Sequence, residues 1–122
     1  FSIISKIINA YKNNTKLSLV NNGEALRDFI HIEDVVYIYK ILLLNNNSIN
    51  ILNIGTGVGK SVLFILDYLR KNNINIDSSS ISRKELMVSI SNNLLLKNLV
   101  SNYNFVNVEE YIHKQLGEKV EK

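Results

Sequence analysis

The spacing of apolar residues predicts a helix at the start of the chain. In residues 2–13 the apolar positions recur every three or four residues, which places them on one face of a helix. Those positions are Ile3, Ile4, Ile7, Ile8 and Tyr11. The pair Asn13-Asn14 favours the end of this helix.

Two short apolar runs follow and predict strands. Residues 17–20 form the first run, and Asn21-Asn22-Gly23 after it is a turn signal. Residues 29–32 form the second run. Asp34 is then expected to act as the N-cap or as a first-turn carboxylate of a helix that ends near Leu44.

A third strand is predicted at residues 49–54, which are apolar at nearly every position. Such a run is typical of a strand buried on both faces, as in a parallel sheet. The loop Gly55–Gly59 comes next, and Ser61 is placed to cap a helix that ends near Asn72.

The remaining chain contains weaker signals. Residues 74–76 and 87–90 are candidate strands, and residues 92–100 and 108–116 are candidate helices. Strands and helices alternate, so the expected fold class is α/β (α+β). Neither a linker nor a repeat interrupts the sequence, and residues 1–122 are interpreted as a single region.

Composition excludes several classes of protein. The 122 residues include no cysteine, which excludes disulfide frameworks and thiolate zinc sites. The net charge is +3, yet the lysines are scattered, and no basic stripe with interleaved aromatics indicates nucleic-acid binding. No apolar run approaches the roughly 20 residues that cross a bilayer, and no secretory pattern opens the chain. A cytoplasmic protein without nucleic-acid or membrane partners is therefore expected.

The loop Gly55–Gly59 is the first candidate for chemistry, because glycine-rich turns between a strand and a helix can bind phosphate. Its spacing does not fit a Walker A loop, which would need glycine in place of Ile54. It does not fit the dinucleotide pattern either, because Lys60 stands where the third glycine is required. A simple strand-to-helix turn is the favoured interpretation.

Two arginines are candidate anion-binding residues. Arg27 lies beside a turn, and a planar guanidinium can grip phosphate, although a surface pair with Asp28 is equally consistent with the sequence. Arg83, in Ser82-Arg83-Lys84-Glu85, is a second phosphate candidate, and the alternative is an ordinary surface residue. His31 and His113 lack a third ligand at metal spacing, so no metal site is predicted. No tyrosine has a lysine four residues later, and the chain alone shows no catalytic centre.

Two motifs in order resemble the NAD-dependent epimerase/dehydratase family, the extended short-chain dehydrogenases that act on nucleotide sugars. The first is Arg27-Asp28-Phe29-Ile30-His31-Ile32-Glu33-Asp34, which is similar to the family's Arg-Asp-Phe-Ile-His-Val-x-Asp. The second is Asn53-Ile54-Gly55-Thr56-Gly57, which is similar to the family's Asn-Ile-Gly-x-Gly. They lie about twenty residues apart, and the similarity extends to about Leu116.

The resemblance implies a substrate-binding role. It implies that Arg27 contacts the diphosphate of a nucleotide sugar, that the strand of Leu17, Ser18 and Leu19 runs beside the base, and that Arg83 is a second phosphate ligand. Lys84-Glu85 stands where the family has Pro-Gly-Asp, so the register of Arg83 departs from the pattern. Asp34 and Asn53 match positions interpreted as structural.

The resemblance also implies that the catalytic residues of these enzymes lie in a part of the protein that residues 1–122 do not match. The chain is expected to be the C-terminal third, while the glycine-rich NAD loop and the Tyr-x-x-x-Lys pair lie in an N-terminal Rossmann domain. NAD would be bound there, and the intact protein would be an isomerase or lyase serving cell-surface polysaccharide, such as lipopolysaccharide, synthesis. The chain alone is expected neither to bind NAD tightly nor to turn over substrate, and a homodimer is possible. The alternative is a catalytically inactive remnant or a non-catalytic nucleotide-sugar-binding or interaction module.

Overall fold

Polar residues that cap helices set the ends of the helices in the computed structural model, which describes residues 2–45 and 48–117. Ser2 accepts a hydrogen bond from the backbone N–H of Ser5 at 3.3 Å, and Ser61 accepts one from that of Phe64 at 3.0 Å. Each serine is the N-cap of a helix, as predicted for Ser61. The helices are α1 Ile3–Asn13, α2 Ile32–Leu44, α3 Val62–Lys71, α4 Leu94–Leu99 and α5 Val108–Gly117.

The strands are short and form two small sheets. They are β1 Leu17–Val20, β2 Leu26–Asp28, β3 Gly59–Lys60, β4 Ser78–Ile81 and β5 Val88–Ser89. In the first sheet β1 pairs in parallel with β4, with Leu17 opposite Ser78. In the second, β2 lies between an antiparallel β3 and a parallel β5. Helices and strands mix along the chain, which confirms the predicted α/β class.

Two apolar clusters hold these elements together. The larger cluster joins one face of α1 to β1, α3 and α5, and its members are largely buried. The smaller cluster joins α2 to α4 through Ile38, Leu96 and Val100. The buried residues of the larger cluster are Ile7, Ala10, Leu17, Leu19, Ile65, Leu66, Leu69, Ile74, Ile112 and Leu116.

The strand predicted at residues 29–32 is wrong. The strand of this region is β2, which ends at Asp28, and Ile32 already begins α2. His31 explains the early start, because its Nδ1 accepts the backbone N–H of Glu33 at 3.2 Å and so caps the helix. Asp34 therefore lies in the first turn of α2, and the N-cap alternative for Asp34 is wrong.

The strand predicted at residues 49–54 is also wrong. Strand hydrogen bonds need a neighbouring backbone, and no strand of the described residues pairs with this segment. Leu52 and Ile54 pack against the smaller cluster, whereas Ile51 is 82% exposed, so the segment is buried on one side only.

The later strands are displaced from their predicted positions. Residues 74–76 form no strand, whereas the serine-rich residues 78–81, for which no strand was predicted, form β4. Of residues 87–90, the central pair forms β5. The helices predicted at 92–100 and 108–116 are present as α4 and α5.

Candidate functional site

Three of the five predicted substrate-binding residues line one cavity of about 210 Å³. Ser18 and Leu19 contribute from β1, and Arg27 contributes from β2. The turn at 21–23 connects β1 to β2, and Gly23, which also lines the cavity, adopts φ +71° in that turn. Two further charged residues, Lys6 from α1 and Glu85, complete the polar part of the lining.

The guanidinium of Arg27 is already engaged. Its Nη1 donates to the carbonyl of Leu26 at 2.8 Å, and its Nη2 donates to Oε1 of Glu85 at 3.1 Å. The side chain remains 35% exposed, and that of Glu85 is 20% exposed. Arg27 therefore faces the cavity as a half-buried cation that is paired with Glu85, and the predicted alternative of a pair with Asp28 is wrong.

Asn21 holds Glu85 and the segment before it in place. Its Nδ2 donates to Oε2 of Glu85 at 2.9 Å and to the carbonyl of Arg83 at 2.5 Å. Its Oδ1 accepts the backbone N–H of Arg83 at 3.0 Å. Neither Asn21 nor Glu85 was singled out from the sequence, because these contacts join residues about sixty positions apart and leave no local pattern.

The other two predicted site residues lie away from the cavity lining. Leu17 is buried in the larger cluster, and its backbone N–H donates to the carbonyl of Asp77 at 2.8 Å. The side chain of Arg83 is exposed, and its backbone is held by Asn21. Arg83 is thus two residues from Glu85 at the edge of the site.

The loop Gly55–Gly59 is occupied by a carboxylate of the chain itself. Asp28 accepts the backbone N–H of Thr56 at 3.0 Å through Oδ1 and that of Gly57 at 2.9 Å through Oδ2. A Cβ on Gly55 would lie 2.4 Å from the Cβ of Ser91, so this glycine is needed for close packing. Since Asp28 takes these N–H groups, the loop does not fit the pyrophosphate of NAD. The predicted strand-to-helix turn is wrong in its flanks, because no strand of the described residues directly precedes the loop and Gly59–Lys60 form β3 before α3 begins.

A second cavity, of about 390 Å³, lies between residues 56–60 and 103–108. Its cation is Lys60, whose Nζ contacts both carboxylate oxygens of Glu109 at 2.6 Å. The side chains of Lys60 and Glu109 are 18% and 9% exposed. This buried ion pair links α5 to β3. Because Lys60 is neutralised by Glu109, the cavity between residues 56–60 and 103–108 offers an anionic ligand less unpaired positive charge than the cavity lined by Arg27 and Lys6 does.

Asp34 is buried and has a structural role. Its Oδ1 accepts the hydroxyl of Tyr103 at 2.5 Å, and its Oδ2 accepts the backbone N–H of Val106 at 3.0 Å. The hydrogen bond to Asp34, followed by burial, raises the pKa of Tyr103 to about 12. These contacts fix the segment before α5 against α2.

Residues 2–45 and 48–117 contain neither a candidate metal-binding cluster nor a candidate membrane-spanning helix. No group of three or more histidine, cysteine, aspartate or glutamate side chains is placed to hold a metal ion there. Within the same residues, no helix has the length and apolar character needed to span a membrane.

Comparison with known proteins identifies the relatives of this site. Residues 2–55, which contain Ser18, Leu19 and Arg27, match the model of the NAD dependent epimerase/dehydratase family. The chain is 36% identical over 69 residues to ADP-L-glycero-D-manno-heptose-6-epimerase of Fusobacterium nucleatum. That alignment spans 51% of this chain and 21% of the relative.

Solved structures share the fold over nearly the whole chain. An NAD-dependent NDP-hexosamine 5,6-dehydratase of tunicamycin biosynthesis matches with a TM-score of 0.80 and 19% identity, over 99% of this chain and 41% of its own. A UDP-glucuronic acid 4-epimerase of Bacillus cereus, solved with UDP-glucuronic acid and NAD, matches with a TM-score of 0.79 and 17% identity, over 98% and 40%. The family match over residues 2–55 and the heptose-epimerase relative support the resemblance recognised from the sequence. The solved structures show the shared fold, and the chain spans about two fifths of their length.

Proposed function

We propose that this chain is the substrate-binding part of an NAD-dependent nucleotide-sugar epimerase or dehydratase. The observation that supports the proposal most directly is the cavity that brings Ser18, Leu19 and Arg27 together. These residues lie in the segment that matches the family, and relatives with this fold include an enzyme solved with a nucleotide sugar and NAD.

Arg27 is proposed to bind the diphosphate of the nucleotide sugar. A guanidinium offers a planar fork of donors that matches phosphate oxygens, and it keeps its charge at every physiological pH. Ser18 and Leu19 would lie beside the base. Leu17 would support that strand from the core, and Arg83 would reach the phosphates only if its exposed side chain turned towards the cavity.

The remaining chemistry is proposed for an N-terminal part of the intact protein. That part would carry the Rossmann domain, bind NAD and supply the tyrosine and lysine that the family uses. When bound there, NAD would supply the hydride-transfer chemistry of the reaction. A cytoplasmic location, a homodimer and a supply of sugars for cell-surface polysaccharide, such as lipopolysaccharide, belong to the same proposal.

The role of Arg27 can be tested by replacing it with alanine and titrating the protein with UDP-glucose and with ADP-glucose. We expect Arg27→Ala to weaken binding by about 1.5–3 kcal/mol, the contribution of a hydrogen bond to a charged group. Arg70→Ala is the matched control, because Arg70 is an exposed arginine that pairs with Asp67 on α3.

Equal affinities of the two variants would reject the proposed role of Arg27. Saturable binding of a nucleotide sugar that depends on Arg27, without turnover even when the N-terminal part is supplied, would favour the alternative of a non-catalytic binding module. Turnover by these 122 residues with added NAD would contradict the division of roles between the two parts.

A further inference from the structure

Glu85 is paired with Arg27, the cation that the proposed function assigns to substrate binding. Both terminal nitrogens of Arg27 are engaged, one by the carbonyl of Leu26 at 2.8 Å and one by Glu85 at 3.1 Å. The carbonyl is a neutral acceptor of the same strand, whereas Glu85 brings a full negative charge from 58 residues away. Glu85 thus stands where an anionic ligand of Arg27 would place an oxygen.

Glu85 is held in this position by Asn21 of the turn that connects β1 to β2. One carboxylate oxygen accepts from Arg27, and the other accepts from Asn21 Nδ2 at 2.9 Å. Asn21 also fixes the backbone of Arg83, so the segment 83–85 is attached to the turn at three points. Because Asn21 already holds one carboxylate oxygen, Glu85 loses less freedom when its other oxygen contacts Arg27, which makes it an effective competitor.

The charged residues of the cavity lining determine how strongly Glu85 competes with an anionic ligand for Arg27. Lys6 and Arg27 are the cations of the lining, and Glu85 is its carboxylate. Among the residues that the structure describes, Lys6 forms no ion pair. An entering anion therefore meets Lys6, unpaired among those residues, and an Arg27 that is already paired with Glu85. Its second anionic group can accept the Nη2–H that Glu85 now accepts only by displacing Glu85.

We propose that Glu85 sets the affinity of this site by competing with the phosphates of the ligand for Arg27. The inference rests on the proposed function, since it requires that Arg27 bind an anion of the ligand. Binding then exchanges one charge-assisted pair for another, and the net gain is smaller than a free arginine would give. Ligands with two adjacent phosphates are favoured over those with one, because the second phosphate compensates for the lost pair.

Glu85→Gln tests the competition. Glutamine keeps an oxygen that can accept from Asn21, so the segment 83–85 stays attached while the charge beside Arg27 is removed. We expect UDP-glucose to bind about three- to fivefold more tightly, as for removal of a part-exposed ionic contact. Glu24→Gln is the matched control, because Glu24 is exposed in the neighbouring turn and carries the same charge.

A spectroscopic measurement separates competition from a structural effect. In ¹⁵N-labelled protein, the side-chain N–H signals of Arg27 should shift on Glu85→Gln and again when UDP-glucose is added to the wild type. An affinity for UDP-glucose that is unchanged or weaker in Glu85→Gln, with Arg27 still required for binding, would overturn the inference alone. Binding that does not depend on Arg27, or no saturable binding in either protein, would overturn the proposed function and the inference with it.

Discussion

At the scale of single residues, Arg27 shows how far a sequence motif predicts a site. Its residue type and its place in the family motif indicate an anion-binding group, and the structure places it in a cavity with Ser18 and Leu19. Its partner could not be predicted, because Glu85 is 58 positions away and the contact depends on the pairing of β2 with β5. The charge and donors of Arg27 follow from its residue type, whereas the charged groups that surround it depend on the fold.

For Asp34, a buried carboxylate, the sequence likewise predicts the local position but not the distant partners. A position near a helix start is typical of a capping residue, and the sequence left the N-cap and the first turn as alternatives. The structure adds the reason for its burial, which is that Tyr103 and the backbone of Val106 satisfy both oxygens. Those partners lie about seventy residues away, so the pattern around Asp34 contains no sign of them.

The pair of Tyr103 and Asp34 leads to a prediction about stability. Tyr103→Phe keeps the ring stacked on Tyr37 but removes the hydroxyl that Asp34 accepts. We expect the free energy of unfolding, measured with urea at pH 7, to fall by about 1–3 kcal/mol, because a buried acceptor loses its partner. Tyr39→Phe is the control, since Tyr39 is 56% exposed.

The difference in the free energy of unfolding between wild type and Tyr103→Phe should depend on pH, in a direction set by the raised pKa of Tyr103. The pKa of Tyr103 is raised from 10.0 to about 12, so its neutral form is favoured in the folded state. The stabilisation is therefore complete below pH 10 and is lost as the pH rises towards 12. The gap between wild type and Tyr103→Phe should narrow over that range, and a gap that widens there would contradict the assigned hydrogen bond.

At the scale of elements, helices were more predictable than strands. Helix ends depend on nearby residues such as Ser61, whose cap is made within three positions along the chain. Strands depend on a partner that is distant in sequence. The polar residues 78–81 form a strand because β1 offers a parallel edge, whereas the apolar residues 49–54 have no such edge among the described residues.

At the scale of the whole molecule, large apolar side chains are strongly exposed at the end of α2 and in the segment 48–54. Leu43, Leu44 and Ile51 are 85%, 84% and 82% exposed. Exposed apolar groups of this size mark surfaces that pack against other protein. We propose that the N-terminal part of the intact protein covers them, in line with a chain that spans about two fifths of its structural relatives.

This proposal predicts how the 122-residue chain behaves by itself. We expect it to associate as its concentration rises in sedimentation-velocity experiments, because an uncovered apolar surface favours contact between copies. The double variant Leu43→Glu/Ile51→Glu should shift the distribution towards the monomer. A similar shift from Leu86→Glu, at a residue 67% exposed elsewhere on the chain, or a monodisperse wild-type monomer would argue against a specific covering surface.

The central claim, that the cavity beside Arg27 binds a nucleotide sugar, is tested most directly by mapping where the ligand binds. The measurement is a titration of the ¹⁵N-labelled chain with UDP-glucose and with ADP-glucose, followed by two-dimensional NMR of the backbone amides. We predict saturable shifts that centre on Ser18, Leu19 and Arg27 and are lost in Arg27→Ala. Shifts that centre instead on Gly55–Gly59, or no saturable shift with either ligand, would contradict it.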